Sequence, residues 1–285
     1  FLNVMNTEYV DELQRIAIEE SPDGIPLIFA RDVIHGFKTI FPIPLGLAAS
    51  WNEDLIRKTS EVAAFEASSM GIRWTFAPML DISRDSRWGR IAESPGEDPY
   101  LASILSKAYI EGFQGNDLSD PTKLAACAKH YLAYGAAIGG RDYNTVNISE
   151  PLLRNIYLPP FKAAIESNVA TVMTSFNEIN GIPSTANQYL LKDVLREEMK
   201  FNGFTVSDWN STIEMINHGF AKDEKHVAEL SAMAGLDMEM TSKSYENYIK
   251  KLIKEGKLTE NQIDVLVKNI LGIKFKLGLF ENPYR

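Results

Sequence analysis

A chain of 285 residues with a formal net charge of −9 lacks the basic face that nucleic-acid binding requires, because counterion release from phosphates needs clustered lysine and arginine. Its 45% hydrophobic and 24% charged residues are those of a globular protein able to bury one core without covalent staples. The single cysteine, Cys127, rules out an intrachain disulfide, and no apolar run reaches the roughly 18 residues of a membrane span.

The chain opens on Phe1, with no methionine or signal-like stretch, which reads as a processed or cropped start. Short apolar runs then recur at Phe1–Val4, Ile25–Ala30, Trp74–Leu80, Leu124–Ala128, Ala170–Phe176, Phe204–Ser207 and Gly235–Met240. Each is followed by a polar or glycine-rich turn, as expected of buried parallel strands, with Phe1–Val4 the remnant of a first strand. Helical spacing lies between them. Ile56, Ala63, Ala67 and Met70 share one face, as do Leu101, Ile104 and Ala108, and later Leu266, Ile270, Ile273 and Leu277. Pro159 and Pro160 break the helical stretch that starts at Ser149–Glu150. Alternating strands and helices predict a single α/β domain over 1–285, either a barrel or an open doubly wound sheet. No G-x-G-x-x-G follows the first strands, which weakens the dinucleotide-binding version.

In a barrel, chemistry gathers where strands end. The exits here carry Asp32, Asp81, Lys129–His130, Asn177, Asp208–Trp209 and Glu239. Any one strand-end aspartate is more simply a helix cap, but the set predicts a polar pocket, which sugars need because each buried hydroxyl must find a partner. The loop DISRDSRWGR (81–90) sets Arg84, Arg87 and Arg90 around Trp88, either a solvated basic loop or a guanidinium aimed at hydroxyls. Glu97 and Asp98 read as charges at a helix start. Lys129 admits two readings, a donor to substrate hydroxyls or a Schiff-base amine. The four histidines, His35, His130, His218 and His226, show no metal-ligand spacing, so no metal or cofactor is expected. His35 reads as satisfying backbone groups near a turn, and His218 and His226 as surface or helix residues.

RDVIHG (31–36), FPIPLGLAASWN (41–52), RWTFAPMLDISRDSRWGR (73–90), ESPGEDPY (93–100), AKHYLAYGA (128–136), MTSFNEINGIP (173–183), GFTVSDW (203–209) and LGLFENPY (277–284) resemble, in order, glycoside hydrolase family 3. The resemblance implies the (β/α)8 barrel of a retaining, exo-acting glycosidase, short at its first strand and missing the helix that usually precedes it. It makes Asp208 of SDW the nucleophile. Asp32, Arg90, Lys129 and His130 would hold hydroxyls of the terminal sugar, and Asp32 rather than glutamate is similar to the family's glucosidases. The KHYLAYGA segment lacks the Gly-His-Gly loop of the N-acetylhexosaminidases. Arg141–Asp142–Tyr143 resembles a loop near the pocket of the glucosidase branch. Trp209 would wall the pocket, with core packing its other reading. Phe176 stands where many members have tyrosine beside the nucleophile.

Retention needs two carboxyl groups roughly 5–5.5 Å apart. The resemblance puts the acid/base on an α/β-sandwich domain following the barrel, so that domain is an expected partner beyond residue 285. Glu214, six residues after Asp208, is the candidate inside the chain, its other reading a helix residue. The substrate expected is an oligosaccharide or aryl β-glucoside. The alternatives are another glycosidase of the family such as a β-xylosidase, a barrel lyase using Lys129, and a sugar-binding barrel. Export from a bacterial-type cell, to the periplasm or beyond, is favoured over the cytoplasm.

Overall fold

The computed structural model describes residues 1–4 and 6–284. Its strands are β1 (Ala30–Arg31), β2 (Trp74–Thr75), β3 (Cys127–Tyr131), β4 (Thr171–Thr174), the hairpin β5 (Glu178–Ile179) and β6 (Ile182–Pro183), then β7 (Phe204–Trp209) and β8 (Met238–Met240). β1 pairs with β2, and β3, β4, β7 and β8 follow in that order, all parallel. Parallel bridges Trp74–Ala125 and Met79–Lys129 join the two sets, and Leu2–Ala30 adds the N-terminal residues. Phe1 and Asn3 fix that first segment through Ala30 N–H to Phe1 C=O at 2.8 Å and Asn3 N–H to Ala30 C=O at 3.0 Å. The result is a TIM-type barrel wall in chain order, with the expected first-strand remnant in place.

Alternation along the strands explains why they are apolar on both faces. Ile28, Trp74, Phe76, Ala125, Cys127, Met173, Phe204 and Val206 point into one buried cluster, the barrel interior. Leu124, Ala126, Ala128 and Val172 point the other way, onto Ile56, Ala63, Ala67, Leu105 and Phe113 of the helices. Trp74 organises the interior. Its ring meets Phe76 and Phe204 edge-on at 4.8 and 5.0 Å, and its Nε1–H donates to Thr171 Oγ1 at 2.9 Å. Truncating Phe204 to alanine would cost about 3–5 kcal/mol, as for any buried aromatic.

The helices start where the sequence supplies caps. Asn52 accepts from Leu55 N–H ahead of Glu53–Ser68, and Asp98 accepts from Tyr100 and Leu101 N–H ahead of Pro99–Gln114. Asp98 is therefore a cap, as its position suggests. These two helices cross so closely that a Cβ on Gly112 would lie 2.4 Å from the Arg57 carbonyl oxygen. Pro159 and Pro160 open a fresh helix, Pro159–Glu166, after the preceding helical turns end at Tyr157. Thr259 and Gln262 form a reciprocal capping box on Glu260–Lys276.

Candidate active site

The site begins with a break in β3. Neighbouring strand residues normally point to opposite faces, but the register of β3 against β4 shifts between Ala128 and Tyr131. The peptide bond joining Lys129 to His130, inside that shift, is cis. Both side chains serve the same end of the barrel. Lys129, nearly buried, donates to Oδ1 of the open Asp32 at 2.7 Å. His130 is fully buried, and its backbone N–H and Nδ1 both meet Asp81 Oδ2, at 2.9 and 2.7 Å. Its Nε2 faces Asp208 Oδ2 at 3.2 Å, within ion-pair reach but not aligned as a hydrogen bond.

Asp208 lies near the end of β7, 9% exposed, with Oδ1 accepting the Trp209 N–H at 2.6 Å. Ser207 ties this level of the wall together, its Oγ accepting from Met240 N–H at 2.8 Å. Burial raises the Asp208 carboxyl above its ordinary value, while Lys129, the Trp209 N–H and Arg90 draw it back. Burial pushes Asp81 up to about 7. Burial, then Arg90 and Lys129, hold His130 well below the usual imidazole range, so its ring is neutral.

Arg90 is gripped by Glu93 through two bonds of 2.8 and 3.0 Å, and its Cζ lies 5.6 Å from the Tyr134 ring centre. Trp88 is buried, its Nε1–H donating to Asp142 Oδ1 at 3.0 Å, which ties the arginine loop to residues 134–143. Arg84 and Arg87 are exposed, Arg87 paired with Asp85, so only Arg90 of the three joins the polar cluster. The solvated reading holds for the other two.

Phe176 is buried with Met79, Trp88 and Tyr134. Trp209 is 57% exposed, which removes core packing as its role. Glu214 stands half-buried in the helix Ser211–Asn217, its Oε2 accepting from Asn217 Nδ2 at 3.1 Å. Glu239 belongs to the frame and not to the pocket: it accepts Ser242 Oγ–H, Ser244 Oγ–H and Tyr245 N–H at the start of the helix Ser244–Lys254. His35 caps the Phe41 carbonyl at 2.8 Å, as its turn position suggests. His218 is half-buried, with its ring on the Phe176 carbonyl at 3.1 Å.

Sequence reasoning marks Asp81 as a strand-end acid without a partner, and gives no role to Glu93 or Tyr134. The Glu93–Arg90 spacing of three residues was the available signal. Asp81 and His130 are 49 residues apart, so only the fold joins them. A cleft of about 670 Å³, lined by Lys192, Arg196, Phe201 and Lys268 among others, lies beside the helix Glu260–Lys276 and contains none of these strand-end groups. The convergence of charged residues, not cavity size, defines the site. Among the described residues, no group of three or more His, Cys, Asp or Glu could hold a metal ion, and no helix is long and apolar enough to cross a membrane.

The model of the glycosyl hydrolase family 3 N-terminal domain matches residues 2–273. The chain belongs to glycosyl hydrolase family 3. It is 43% identical over 282 residues to a periplasmic β-glucosidase of Salmonella typhimurium, covering 99% of this chain and 37% of that protein. A β-xylosidase of Formosa agariphila is 35% identical, covering 96% of this chain and 41% of that protein. Among solved structures, a β-glucosidase of Listeria innocua in complex with isofagomine is 47% identical with a TM-score of 0.98, covering 100% of this chain and 40% of that one. A mutant of the Listeria enzyme is known in complex with laminaribiose, with a TM-score of 0.97 and 47% identity over 99% of this chain and 40% of that one. This family 3 barrel thus spans about two fifths of the length of the relatives it matches.

Proposed function

We propose that the chain is the barrel of a retaining, exo-acting β-glucosidase that removes terminal non-reducing β-D-glucosyl residues, with Asp208 as its nucleophile. The observation that carries this reading is the Asp208 carboxylate, buried at a strand end within 3.2 Å of His130. Nearby charge from Lys129 and Arg90 favours its ionised form. The carboxylate attacks the anomeric carbon as the glycosidic C–O bond breaks, and the departing oxygen takes a proton from a general acid. The resulting glycosyl ester is then cleaved by water, whose proton goes to that same acid/base. In the family resemblance the acid/base comes from a following domain; Glu214 is the candidate within the chain. Lys129, His130, Arg90 and Asp32 hold ring hydroxyls, and Trp209 offers its exposed face to the sugar's C–H patch.

Glucose is supported as the terminal unit by Asp32 and by the Listeria relative, known in complex with glucose and with laminaribiose. The Formosa relative keeps β-xyloside hydrolysis as the second reading. A Schiff-base role for Lys129 is disfavoured by the 2.7 Å ion pair that engages its amine. The Salmonella relative supports a periplasmic or extracellular site of action. The decisive experiment replaces Asp208 with alanine in the natural full-length protein. Activity on aryl β-glucosides should fall by orders of magnitude, and azide should restore product as the α-glucosyl azide. Turnover near that of the unaltered protein would contradict the assignment.

A further inference from the structure

One exposed aromatic near Asp208 is held in an unusual backbone state. Tyr143 has φ of 62°, a region that bulky L-residues rarely occupy and that glycine or asparagine fills at lower cost. Its loop is anchored on both sides, by Trp88 Nε1–H to Asp142 Oδ1 at 3.0 Å and by Ile138 N–H to the Thr145 carbonyl at 3.0 Å. The tyrosine at the tip is 45% exposed. An aromatic ladder leads to it from the polar cluster. His130 meets Tyr134 edge-on at 5.2 Å, Tyr134 lies 5.7 Å from Phe176, and Tyr143 covers Phe176 at 4.2 Å between ring centres. Burial, Asp142 and Asp208 raise its phenol above the ordinary value, so it is a protonated donor within the field of Asp208.

We infer that Tyr143 is a specificity-determining residue that contacts the departing unit of the substrate. The inference rests on the glucosidase reading above. A terminal sugar held by Lys129, His130 and Arg90 occupies the inner end of the ladder. The unit it is leaving must then extend toward solvent, where Tyr143 presents a ring face and a hydroxyl. A ring of this kind stacks on a sugar or aryl group, and its hydroxyl donates to an acceptor oxygen.

The test compares Tyr143→Gly and Tyr143→Phe with the unaltered, natural full-length protein. Glycine accepts φ of 62°, so Tyr143→Gly removes the ring without straining the loop, and Tyr143→Phe keeps the contact with Phe176 that glycine loses. KM for laminaribiose should rise about tenfold in Tyr143→Gly, with kcat on dinitrophenyl β-glucoside within about twofold. Inhibition by isofagomine, a compact ligand that lacks a departing unit, should also stay within about twofold. Tyr143→Phe should give a smaller rise in KM, from loss of the hydroxyl alone. An unchanged laminaribiose KM in Tyr143→Gly, or equal loss of isofagomine affinity, would overturn the inference and leave the glucosidase reading standing. If the unaltered protein hydrolyses neither laminaribiose nor aryl β-glucosides, both fall together.

Discussion

His130 Nε2 and Asp208 Oδ2 face each other at 3.2 Å, both buried, while His130 Nδ1 lies 2.7 Å from Asp81 Oδ2. A neutral imidazole between two carboxyl groups has one ring proton to give. Below about pH 7 Asp81 keeps its own proton and donates it to Nδ1, which leaves the ring proton on Nε2, the nitrogen that faces Asp208. Above that pH Asp81 ionises and draws the ring proton to Nδ1, turning a lone pair toward the nucleophile.

This arrangement predicts an alkaline decline in kcat/KM near pH 7 that belongs to Asp81. Asparagine at this position accepts from the His130 backbone N–H through its carbonyl oxygen, so it also accepts Nδ1–H and fixes the unfavourable tautomer. Asp81→Asn should lower kcat/KM about tenfold or more at pH 6 and remove that limb of the profile. A pH profile of Asp81→Asn that retains the limb would assign it elsewhere.

Stability should also fall as pH rises, but over a lower range. The folded Asp81 carboxyl titrates at about 7 against an ordinary value of 3.8, so the folded state binds more protons between these limits. Native stability from this group is greatest below pH 4, falls as pH rises toward 7, and is flat above, with a total loss of about 4 kcal/mol. Asp81→Asn lacks this loss. Its urea-unfolding free energy relative to the native protein should therefore climb from pH 4 to pH 7; a difference that stays constant with pH would refute the buried, neutral Asp81.

Asp32 is the open end of the only ion pair that Lys129 makes among the described residues. Asp32→Ala should cost roughly 2–4 kcal/mol in transition-state binding, as for losing a charged hydrogen bond to substrate. Comparison of kcat/KM on aryl β-glucosides and aryl β-xylosides checks both this and the choice of sugar. Faster hydrolysis of the xylosides by the unaltered protein would favour the second reading.

Glu214→Gln tests where the acid/base resides. If it comes from a following domain, the substitution in the natural full-length protein should change kcat/KM on laminaribiose by less than about threefold. A loss of a hundredfold or more, restored with dinitrophenyl β-glucoside, would put the proton donor on Glu214.

Much of the barrel is legible from the chain because its strands are short apolar runs, each closed by a turn, and a helix start such as Asp98 is marked by its charge. The strand lengths are not: Trp74–Leu80 reads as one regular strand, yet its regular ladder covers only Trp74–Thr75, with a single bridge at Met79 and isolated backbone bonds such as Cys127 N–H to the Ala77 carbonyl between them. Within the site, Asp208, Lys129 and His130 stand out because ionisable groups at strand exits are costly unless used or paired. Their partners do not, since Asp81 reaches His130 across 49 residues and Lys129 reaches Asp32 across 97. Glu239 shows the reverse difficulty. It stands at a strand end like Asp208, and only the hydroxyls and N–H it binds reveal a helix cap.

The central claim, that Asp208 attacks the sugar, is tested most directly by trapping the ester. The 285-residue chain is mixed with dinitrophenyl β-glucoside, whose acidic leaving group needs little protonic help. If the acid/base comes from a following domain, water is not activated for the second step in this chain alone, and the intermediate should persist. Intact-protein mass spectrometry should show the gain of one glucosyl unit, and peptide mapping should locate it on the segment containing Asp208. A label on any other residue, or neither label nor release of dinitrophenol in a folded chain that binds glucose, would contradict the account.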